Sequence, residues 1–288
     1  VSRDLSGLLA QIEALAPGDA DGYLRYLAYA VRIQRLTRQV FIFGPPPSLR
    51  SLRQFPLLDV FKIDPLRTMA GSIHSFVRDP RLRQLLGRFA TYVGASPYLA
   101  PATLNVIAAV ELAGGVWYPQ GGVYAVARAY ETLARELGVE IRLQTPVERI
   151  EVRGGRVCGV TTAAGEFIEA EQVVANVDVA TVYSTLLAPG SLPPRLVART
   201  LNQPLSCSGF LLLLGLDHSY PALAHHNIFF SRDYRAEFED IFCHEIPPRE
   251  PTLYVAITSK TDPSHAPPGG ENWFVMANVP ALGPAWDW

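Results

Sequence analysis

The chain has 288 residues, of which 49% are hydrophobic and 18% are charged, and this composition excludes a disordered or fibrous protein. Its net charge of −2 argues against a protein that binds nucleic acid over its whole surface. The three cysteines, Cys158, Cys207 and Cys243, are odd in number and far apart. They therefore predict neither a disulfide framework nor a zinc site, and they fit a reducing compartment.

Positive charge is concentrated between Gly22 and Arg88. This span contains twelve basic and three acidic residues, whereas the rest of the chain contains 13 basic and 24 acidic residues. Eleven of the twelve basic residues are arginines, and aromatic residues lie between them. An anionic bilayer surface would suit this mixture. A solvated helix face that packs against an acidic neighbour explains the pattern equally well.

The first ninety residues have the periodicity of helices. Apolar residues recur at helical spacing over 5–15, and Pro17-Gly18 ends this pattern before it restarts at Tyr23. Asp79 and Pro80 are residue types preferred at the N-cap and at the first position of a helix. The sequence therefore predicts a series of helices in this part of the chain.

The run 89–110 has no charged residue, but prolines and a glycine interrupt it. A buried segment is therefore predicted there rather than a membrane-spanning helix. Within it, residues from 102 to 113 are apolar on nearly every face, which is typical of a buried helix. A short strand is predicted at 116–118 and an amphipathic helix at 123–137, with Gly138 placed for a left-handed C-terminal cap.

From residue 139 onward the hydrophobic period changes from that of a helix to that of a strand. Gly154-Gly155 supplies a two-residue turn for a β-hairpin, and a short helix is predicted at 234–242. The predicted strands are 139–143, 147–152, 157–160, 171–176, 210–216, 253–257 and 273–279. The fold class is therefore a mixture of α+β and α/β, with a helical front and a sheet-rich back.

The common catalytic and metal-binding motifs are absent from the sequence. It contains no G-x-G-x-x-G string, no P-loop, no G-x-S-x-G and no H-E-x-x-H. His225-His226 is the one pair of adjacent histidines, and neighbouring side chains on a strand point to opposite faces. No metal site is therefore predicted.

Several longer strings occur in a consistent order along the chain. They are 116–122 (VWYPQGG), 145–150 (TPVERI), 173–178 (VVANVD), 223–230 (LAHHNIFF) and 261–264 (TDPS). With these strings, from about Arg78 to Trp288, the chain resembles the bacterial phytoene desaturases, which are FAD-dependent carotenoid desaturases related to the flavin amine oxidases. We expect it to be the central piece of such an enzyme, without either terminal segment.

The resemblance implies a Rossmann-type FAD-binding domain, assembled from separated chain segments, and a substrate domain. It implies a helical region associated with the substrate or the membrane at 1–113, the central helix and β-meander of the FAD-binding domain at 114–180, and the sheet and helices of the substrate domain at 181–288. The family's dinucleotide fingerprint and C-terminal glycine-rich segment are missing from the sequence. We therefore expect this chain alone to hold FAD weakly and to be inactive.

Three residues are implied to lie at or near the cofactor. By similarity, the backbone at Val147 meets the adenine end of FAD, and Gly121 and Gly122 lie near the junction of the two domains. Periodicity alone explains Val147 as an ordinary strand residue. It also explains the two glycines as a turn that precedes a helix.

The implied substrate is a linear polyene hydrocarbon. Such a molecule offers no polar group, so it must be recognised by burial in a long apolar channel. Leu99, Leu104 and Ile107, all from the uncharged run, are the candidate channel wall. A place in the core of the domain explains these three residues equally well.

Asp79 and Arg83 are the candidate catalytic residues, because the string 78–83 matches a polar patch in the family. A polar group near the reacting carbons could stabilise positive charge or accept a proton. The alternative is a helix cap together with a surface ion pair at positions i and i+4.

The resemblance implies FAD-dependent desaturation of a linear, phytoene-like carotene by hydride transfer to the flavin, in carotenoid biosynthesis. The alternatives are a related carotenoid oxidase, isomerase or saturase, or a non-catalytic module that binds a hydrophobic ligand or a membrane. We expect a cytoplasmic protein attached peripherally to an anionic membrane surface, without a nucleic-acid partner. The sequence leaves the oligomeric state open.

Overall fold

The computed structural model describes residues 4–38, 62–283 and 286, so that part of the basic span lies outside the described residues. The chain divides into two compact units. The first comprises Val1–Val123 and Ser206–Trp288, and the second comprises Tyr124–Leu205. The first unit is therefore built from two separate stretches of chain, with the second unit inserted between them.

Helices and strands alternate in blocks along the described residues. The helices are α1 (Leu5–Leu15), α2 (Ala20–Thr37), α3 (Met69–His74), α4 (Pro80–Gly87), α5 (Val106–Ala109), α6 (Tyr124–Glu136), α7 (Val179–Thr181), α8 (Pro194–Leu201) and α9 (Tyr234–Glu239). The strands are β1 (Val147–Arg153), β2 (Arg156–Thr162), β3 (Phe167–Glu169), β4 (Ser208–Leu216), β5 (His226–Phe229), β6 (Leu253–Ala256) and β7 (Glu271–Val279). The mixed fold class predicted from the sequence is thus confirmed.

The helices at the start of the chain begin where the sequence supplies a cap. The carboxylate of Asp79 accepts a hydrogen bond of 2.8 Å from the backbone N–H of Arg81, and Pro80 occupies the first turn of α4. The helix predicted at 5–15 is confirmed as α1, and the helix that restarts near Tyr23 is confirmed as α2.

The helix predicted at 102–113 is helical but divided. It consists of a 3₁₀ turn at Ala102–Asn105, then α5, then a π turn at Val110–Gly114 in which no residue is buried. The prediction that this segment is helical is therefore correct, but the prediction that it is buried on nearly every face is wrong. The strand predicted at 116–118 is wrong, because a strand needs a hydrogen-bonded neighbour and none lies beside these residues in the described part of the chain.

A buried amide side chain lies between the helices of the first unit. The Tyr26 hydroxyl donates to Oδ1 of Asn105 over 2.7 Å. Nδ2 of Asn105 donates to Oγ of Ser72 over 2.9 Å and to the carbonyl of Ala102 over 2.7 Å. The apolar core around this group consists of Leu8, Ile12, Tyr23, Tyr26, Tyr29, Ile33, Met69, Ile73, Val77, Leu82, Leu86, Phe89, Ala90 and Ala108.

The first unit also contains a four-stranded antiparallel sheet in the order β4-β7-β6-β5. Its strands confirm those predicted at 210–216, 253–257 and 273–279, and β5 had no prediction of its own. The edge strand β4 pairs with β7 over its whole length, from Ser208 opposite Val279 to Leu216 opposite Glu271. Its central leucines remain exposed on both faces.

A second buried polar group attaches α9 to the sheet. The carboxylate of Glu237 accepts hydrogen bonds from the Ser231 hydroxyl (2.6 Å), the Thr252 backbone N–H (2.9 Å) and the Thr252 hydroxyl (2.6 Å). All three residues are buried. The helix predicted at 234–242 is confirmed as α9, which continues into a π turn at Asp240–His244.

The second unit contains the three-stranded antiparallel meander β1-β2-β3. Gly154 and Gly155 have φ values of 58° and 76°, as the predicted two-residue turn between β1 and β2 requires, and the hairpin is confirmed. Helix α6 confirms the prediction at 123–137, and Gly138 follows it with a φ of 80°.

Two strands predicted in the second unit are wrong. Residues 139–143 and 171–176 are irregular, and Val174, at the centre of the second segment, is 95% exposed. Both segments have apolar side chains typical of strands, but no strand of the described residues pairs with either of them. In the described part of the chain, no helix combines the length and the apolar character that a membrane crossing needs.

We expect Asn105→Ala to destabilise the first unit by about 2–4 kcal/mol, because it leaves the buried Tyr26 hydroxyl without its acceptor, removes one donor to the Ser72 hydroxyl and opens a small cavity. Urea unfolding measures the effect. Asn202→Ala, at an exposed position, is the matched control. A change below about 0.5 kcal/mol for Asn105→Ala would contradict this account.

Candidate functional site

A cavity of about 360 Å³ lies inside the first unit, with the helical segments on one side and the sheet on the other. Its surface is mostly apolar, although it includes several polar groups. We call it the apolar cavity. Its lining consists of Arg88, Thr91, Tyr92, Glu111, Val116, His226, Ile228, Tyr234, Thr252, Tyr254, Met276 and Asn278.

The helical wall of the apolar cavity carries a partly buried ion pair. Helix α4 continues into a 3₁₀ turn at Arg88–Val93, which places Arg88 and Tyr92 on the same side. Nη2 of Arg88 lies 2.5 Å from Oε1 of Glu111, and the Tyr92 hydroxyl donates to the other oxygen of this carboxylate. Nη1 of Arg88 lies 3.4 Å from the Tyr92 hydroxyl oxygen, and the guanidinium stacks 4.3 Å from the centre of the Phe89 ring.

Burial and the ion pair together set the charges on this wall. Burial alone would lower the pKa of Arg88, but the neighbouring Glu111 carboxylate outweighs it and raises this pKa, so the guanidinium stays charged. Burial raises the pKa of Tyr92, and the hydrogen bond that its hydroxyl donates to Glu111 raises it further. The wall therefore carries one cation, one anion and a neutral phenol in contact with each other.

The sheet wall of the apolar cavity follows from strand alternation. Alternate residues of a strand face the same side, so one face of β5, β6 and β7 lines the cavity. Ile228, Tyr254 and Met276 lie opposite each other in register across these three strands. His226 adds a polar group at the start of β5, where its Nδ1 lies 2.7 Å from the Tyr254 hydroxyl.

Partial burial shifts the pKa values of His226 and Tyr254 toward their neutral forms. It lowers the pKa of His226, which favours the neutral imidazole, and it raises the pKa of Tyr254. The Glu111 carboxylate opposes the first shift and the Arg88 guanidinium adds to it, so both groups of the helical wall act on His226. The two walls are thus electrostatically coupled across the cavity.

Gly121 and Gly122 form a turn held by residues much later in the chain. Their φ values are 79° and 83°, and the Gly121 N–H donates to Oδ2 of Asp262 over 3.2 Å. A Cβ atom at Gly122 would lie 3.1 Å from Cε1 of His265. The Tyr118 hydroxyl lies 3.4 Å from Nδ1 of the same histidine. The division between the two units falls directly after Val123.

The rings of His225 and His226 lie 4.3 Å apart, although alternation along a strand would separate them. The expectation of opposite faces is wrong because β5 begins at His226, so His225 precedes the strand. His225 instead contacts the Tyr118 ring and places its Nδ1 2.6 Å from the Thr261 hydroxyl. Within the described residues, no group of three or more histidine, cysteine or acidic side chains could hold a metal ion.

The predicted catalytic residues are Asp79, which caps α4, and Arg83, which lies on it, and they do not form a pair. Asp79 caps the helix and pairs with Arg81 at 2.8 Å, so the helix-cap alternative is confirmed but the ion pair has a different partner. Arg83 donates to the carbonyl of Val77 over 3.0 Å. Arg83 also lines a separate pocket together with Tyr98. The catalytic role of Asp79 and Arg83 stays a prediction.

The other predicted site residues lie outside the lining of the apolar cavity. Leu104 and Ile107 pack against the helical core, and Leu99 is 68% exposed. Val147 begins β1 in the second unit, on the side of the meander that has no further strand in the described residues. The roles proposed for these residues in the channel and at the cofactor stay predictions.

The sequence interpretation missed Arg88, Tyr92, Glu111 and His226 as members of one site. One signal was available, because Glu111 is the single charged residue in the otherwise apolar run that ends at Gly114. A lone acid in such a run needs a buried partner. The sequence did not indicate that this partner is Arg88, because a 3₁₀ turn and a π turn bring the two residues together.

Residues 15–268 match the family described as FAD dependent oxidoreductase, and the chain belongs to this family. The resemblance to carotenoid-modifying enzymes is also confirmed. The chain is 36% identical, over 100% of its own length, to a zeta-carotene-forming phytoene desaturase of Myxococcus xanthus. It is 36% identical, over 95% of its length, to a 4,4'-diapolycopene oxygenase of a Methylomonas species, and 35% identical, over 93%, to a 4,4'-diaponeurosporene oxygenase of Staphylococcus aureus.

The chain spans about half the length of these relatives, 55% of the first two and 54% of the third. Its fold is similar to that of an oxidoreductase from Methanosarcina mazei, with a TM-score of 0.56 and 20% identity. The match covers 83% of this chain and 53% of that structure. The structural similarity therefore supports the same fold for this chain.

The family's cofactor is FAD, and the described residues fit only part of a site for it. The sheet of the second unit is an antiparallel meander, and the sequence has no G-x-G-x-x-G string for the pyrophosphate. Both glycine N–H groups at Gly121 and Gly122 already donate within the chain, to Asp262 and to the carbonyl of Pro119. This turn therefore has no free N–H donor for an anion, and His265 occupies the space beside the Cα atom of Gly122.

We expect Gly122→Ala to destabilise the first unit by more than Gly269→Ala. Both glycines have nearly the same φ, 83° and 84°, so each alanine costs about 1 kcal/mol of backbone strain. Only Gly122 adds a close contact with His265, since Gly269 has open space around it. Thermal unfolding of the two variants measures the difference, and equal losses would contradict the contact.

Proposed function

We propose that the protein carries out FAD-dependent desaturation of a linear carotene, as part of carotenoid biosynthesis. The observation that carries this proposal is the apolar cavity, which lies between a helical wall and a sheet wall inside the first unit. The relatives named as a carotene-forming desaturase and as carotenoid oxygenases support the same substrate class. A polyene has no hydrogen-bonding groups along its length, so burial between such walls is the interaction that binds it.

The cavity's own side chains would orient the polyene. Ile228 and Met276 offer apolar contacts, and Tyr254 lies between them in the sheet and adds an aromatic ring. Because all three come from one sheet face, they form a regular surface along which an extended chain can lie. When bound, FAD would supply the acceptor for the two electrons of the oxidation.

We propose that three residues contribute to the FAD site. We propose that the backbone at Val147, at the open side of β1, meets the adenine end of FAD. We also propose that the turn at Gly121 and Gly122, which have positive φ values, lies near the cofactor. Leu99, Leu104 and Ile107 remain proposed channel residues for parts of the polyene outside the apolar cavity.

We also propose attachment to an anionic membrane surface on the cytoplasmic side. Helix α2 supports this proposal, because it buries Tyr26 and Ile33 while it exposes Arg25, Arg32 and Arg35. Exposed arginines bind the headgroups of anionic lipids. A water-insoluble substrate would then be taken up directly from the bilayer.

Filling the apolar cavity tests its role. In cells that accumulate a phytoene-like carotene, we expect the full-length protein with Ile228→Trp to form roughly tenfold to a hundredfold less desaturated pigment, because the indole occupies the space of the polyene. Pigments are measured by chromatography and visible absorbance. Leu66→Trp, at a position that is 85% exposed, is the control and should leave pigment formation unchanged. Full activity of the Ile228→Trp protein would count against the cavity as the substrate site.

Asp79→Ser separates catalysis from helix capping. Serine also caps a helix, so we expect this variant to keep its stability, whereas Asp79→Ala should lose about 1 kcal/mol. If the Asp79 carboxylate acts on the reacting carbons, both variants lose activity by roughly a hundredfold. Unfolding and pigment formation are measured side by side. Unchanged pigment formation with Asp79→Ser would leave the residue with the capping role alone.

A further inference from the structure

The pocket that contains Arg83 and Tyr98 is lined by arginines from both stretches of the first unit. Its volume of about 410 Å³ falls in the range of roughly 300–1,000 Å³ that is typical of small-molecule sites. We call it the arginine pocket. Its arginines are Arg81, Arg83, Arg232 and Arg235, and Asp233 is the one acidic residue in its described lining.

Hydrogen bonds between distant segments fix the walls of the arginine pocket. The backbone N–H of Ala70 on α3 donates to the carbonyl of Pro97 over 2.8 Å. The side chain of Gln84 on α4 donates to the carbonyl of Ser231 over 3.0 Å, which joins α4 to the segment that precedes α9. Because these walls are already bonded to each other, a ligand would pay little to order them.

The charges of the lining leave the arginine pocket positive. The Asp233 carboxylate accepts a hydrogen bond of 3.0 Å from the backbone N–H of Ala236 and caps α9. Arg83 is partly buried and donates from Nε to the carbonyl of Val77, but no acidic side chain of the described residues pairs with it. Partial burial lowers the pKa of His74, and the Arg83 charge lowers it further. The Arg83 charge therefore acts on the pocket, where it favours an anion.

Two more arginines of the lining are held only weakly by acids. Arg232 is 92% exposed and lies 3.6 Å from Glu250. Arg235 approaches Glu239 through Nε at 2.9 Å, and its guanidinium lies 5.4 Å from the centre of the Tyr98 ring. Exposed ion pairs of this kind contribute little free energy, so a bound anion can compete with both acids.

We propose that the arginine pocket binds a phosphate group, held by Arg83 together with Arg232 and Arg235. Guanidinium groups bind phosphate oxygens through two parallel hydrogen bonds. A phosphate monoester carries a charge of about −1.5 to −2 at neutral pH and has three oxygens, so it can accept from several arginines at once. Arg81 already pairs with Asp79 and is left out of the assignment. The phosphate belongs either to a lipid headgroup or to a soluble ester, and this inference does not depend on the carotene chemistry.

Calorimetric titration with glycerol 3-phosphate tests the soluble source. The full-length protein is used with FAD bound, so that free cofactor does not compete. We expect Arg83→Met to weaken binding roughly tenfold to a hundredfold, because hydrogen bonds to a charged group are lost. Arg232→Met changes an exposed side chain, so it should fold normally and weaken binding roughly twofold to fivefold. Arg25→Met, at an exposed position of α2, is the control and should bind like the unaltered protein. Circular dichroism checks the folding of each variant.

Vesicle sedimentation tests the lipid source. Vesicles of phosphatidylcholine mixed with phosphatidic acid, which exposes a phosphate monoester, are compared with vesicles of phosphatidylcholine mixed with oleic acid at the same surface charge. Arg25→Met should weaken binding to both kinds, since an arginine outside the pocket responds to surface charge alone. If the headgroup enters the arginine pocket, Arg83→Met weakens binding to the phosphatidic acid vesicles roughly tenfold more than binding to the oleic acid vesicles.

The outcomes identify the source of the phosphate or overturn the proposal. Glycerol 3-phosphate binding that Arg83→Met weakens supports the pocket with a soluble ester as its ligand. A preference for phosphatidic acid that Arg83→Met removes supports it with a lipid headgroup. The absence of both effects in the unaltered protein overturns the proposal, and so does phosphate binding that survives unchanged in both Arg232→Met and a folded Arg83→Met. If Arg83→Met does not fold, unchanged binding by Arg232→Met has the same consequence. None of these results bears on polyene binding in the apolar cavity, so the proposed function stands or falls separately.

Discussion

The buried hydrogen bonds of Asn105 connect three separate helical segments, and the helical wall of the apolar cavity depends on them. Its amide bonds at once to Tyr26 on α2, to Ser72 on α3 and to the backbone at Ala102. A buried amide is stable only when its partners are all in place, so these bonds specify one arrangement of the three segments. Because α5 follows Asn105 directly, the same hydrogen bonds set the direction of this helix. Glu111, six residues after Asn105, forms its ion pair with Arg88 beyond the end of α5.

Irregular helix geometry, rather than residue type alone, builds this wall. Arg88 lies in a 3₁₀ turn and Glu111 in a π turn, and such departures from α-helical geometry occur frequently at functional sites. The opposite wall is regular, because alternate residues of β5, β6 and β7 line it in register. The cavity therefore joins a wall of irregular helical turns to a wall of regular strands.

The sequence predicted the elements whose stability is local and missed those that depend on a partner. The cap at Asp79 and the turn at Gly154-Gly155 act within a few residues, so both were predictable and α4 and the β1-β2 hairpin follow from them. Residues 139–143 and 171–176 have strand-like side chains but no strand beside them in the described residues. The same distinction applies to the site, because Arg88, Glu111 and His226 are brought together by contacts that no local pattern contains.

The discontinuous make-up of the first unit affects the order in which the chain can fold during its synthesis. Ribosomes release the chain from its N-terminus, so 124–205 have all emerged before the sheet of the first unit is complete. The Gly121-Gly122 turn must also wait, because the carboxylate to which the Gly121 N–H donates belongs to Asp262, shortly before β7. The helical half of the first unit must meanwhile remain without its sheet, with the lining of its cavity exposed to water. Until β7 has been made, these apolar side chains have no complete sheet to pack against.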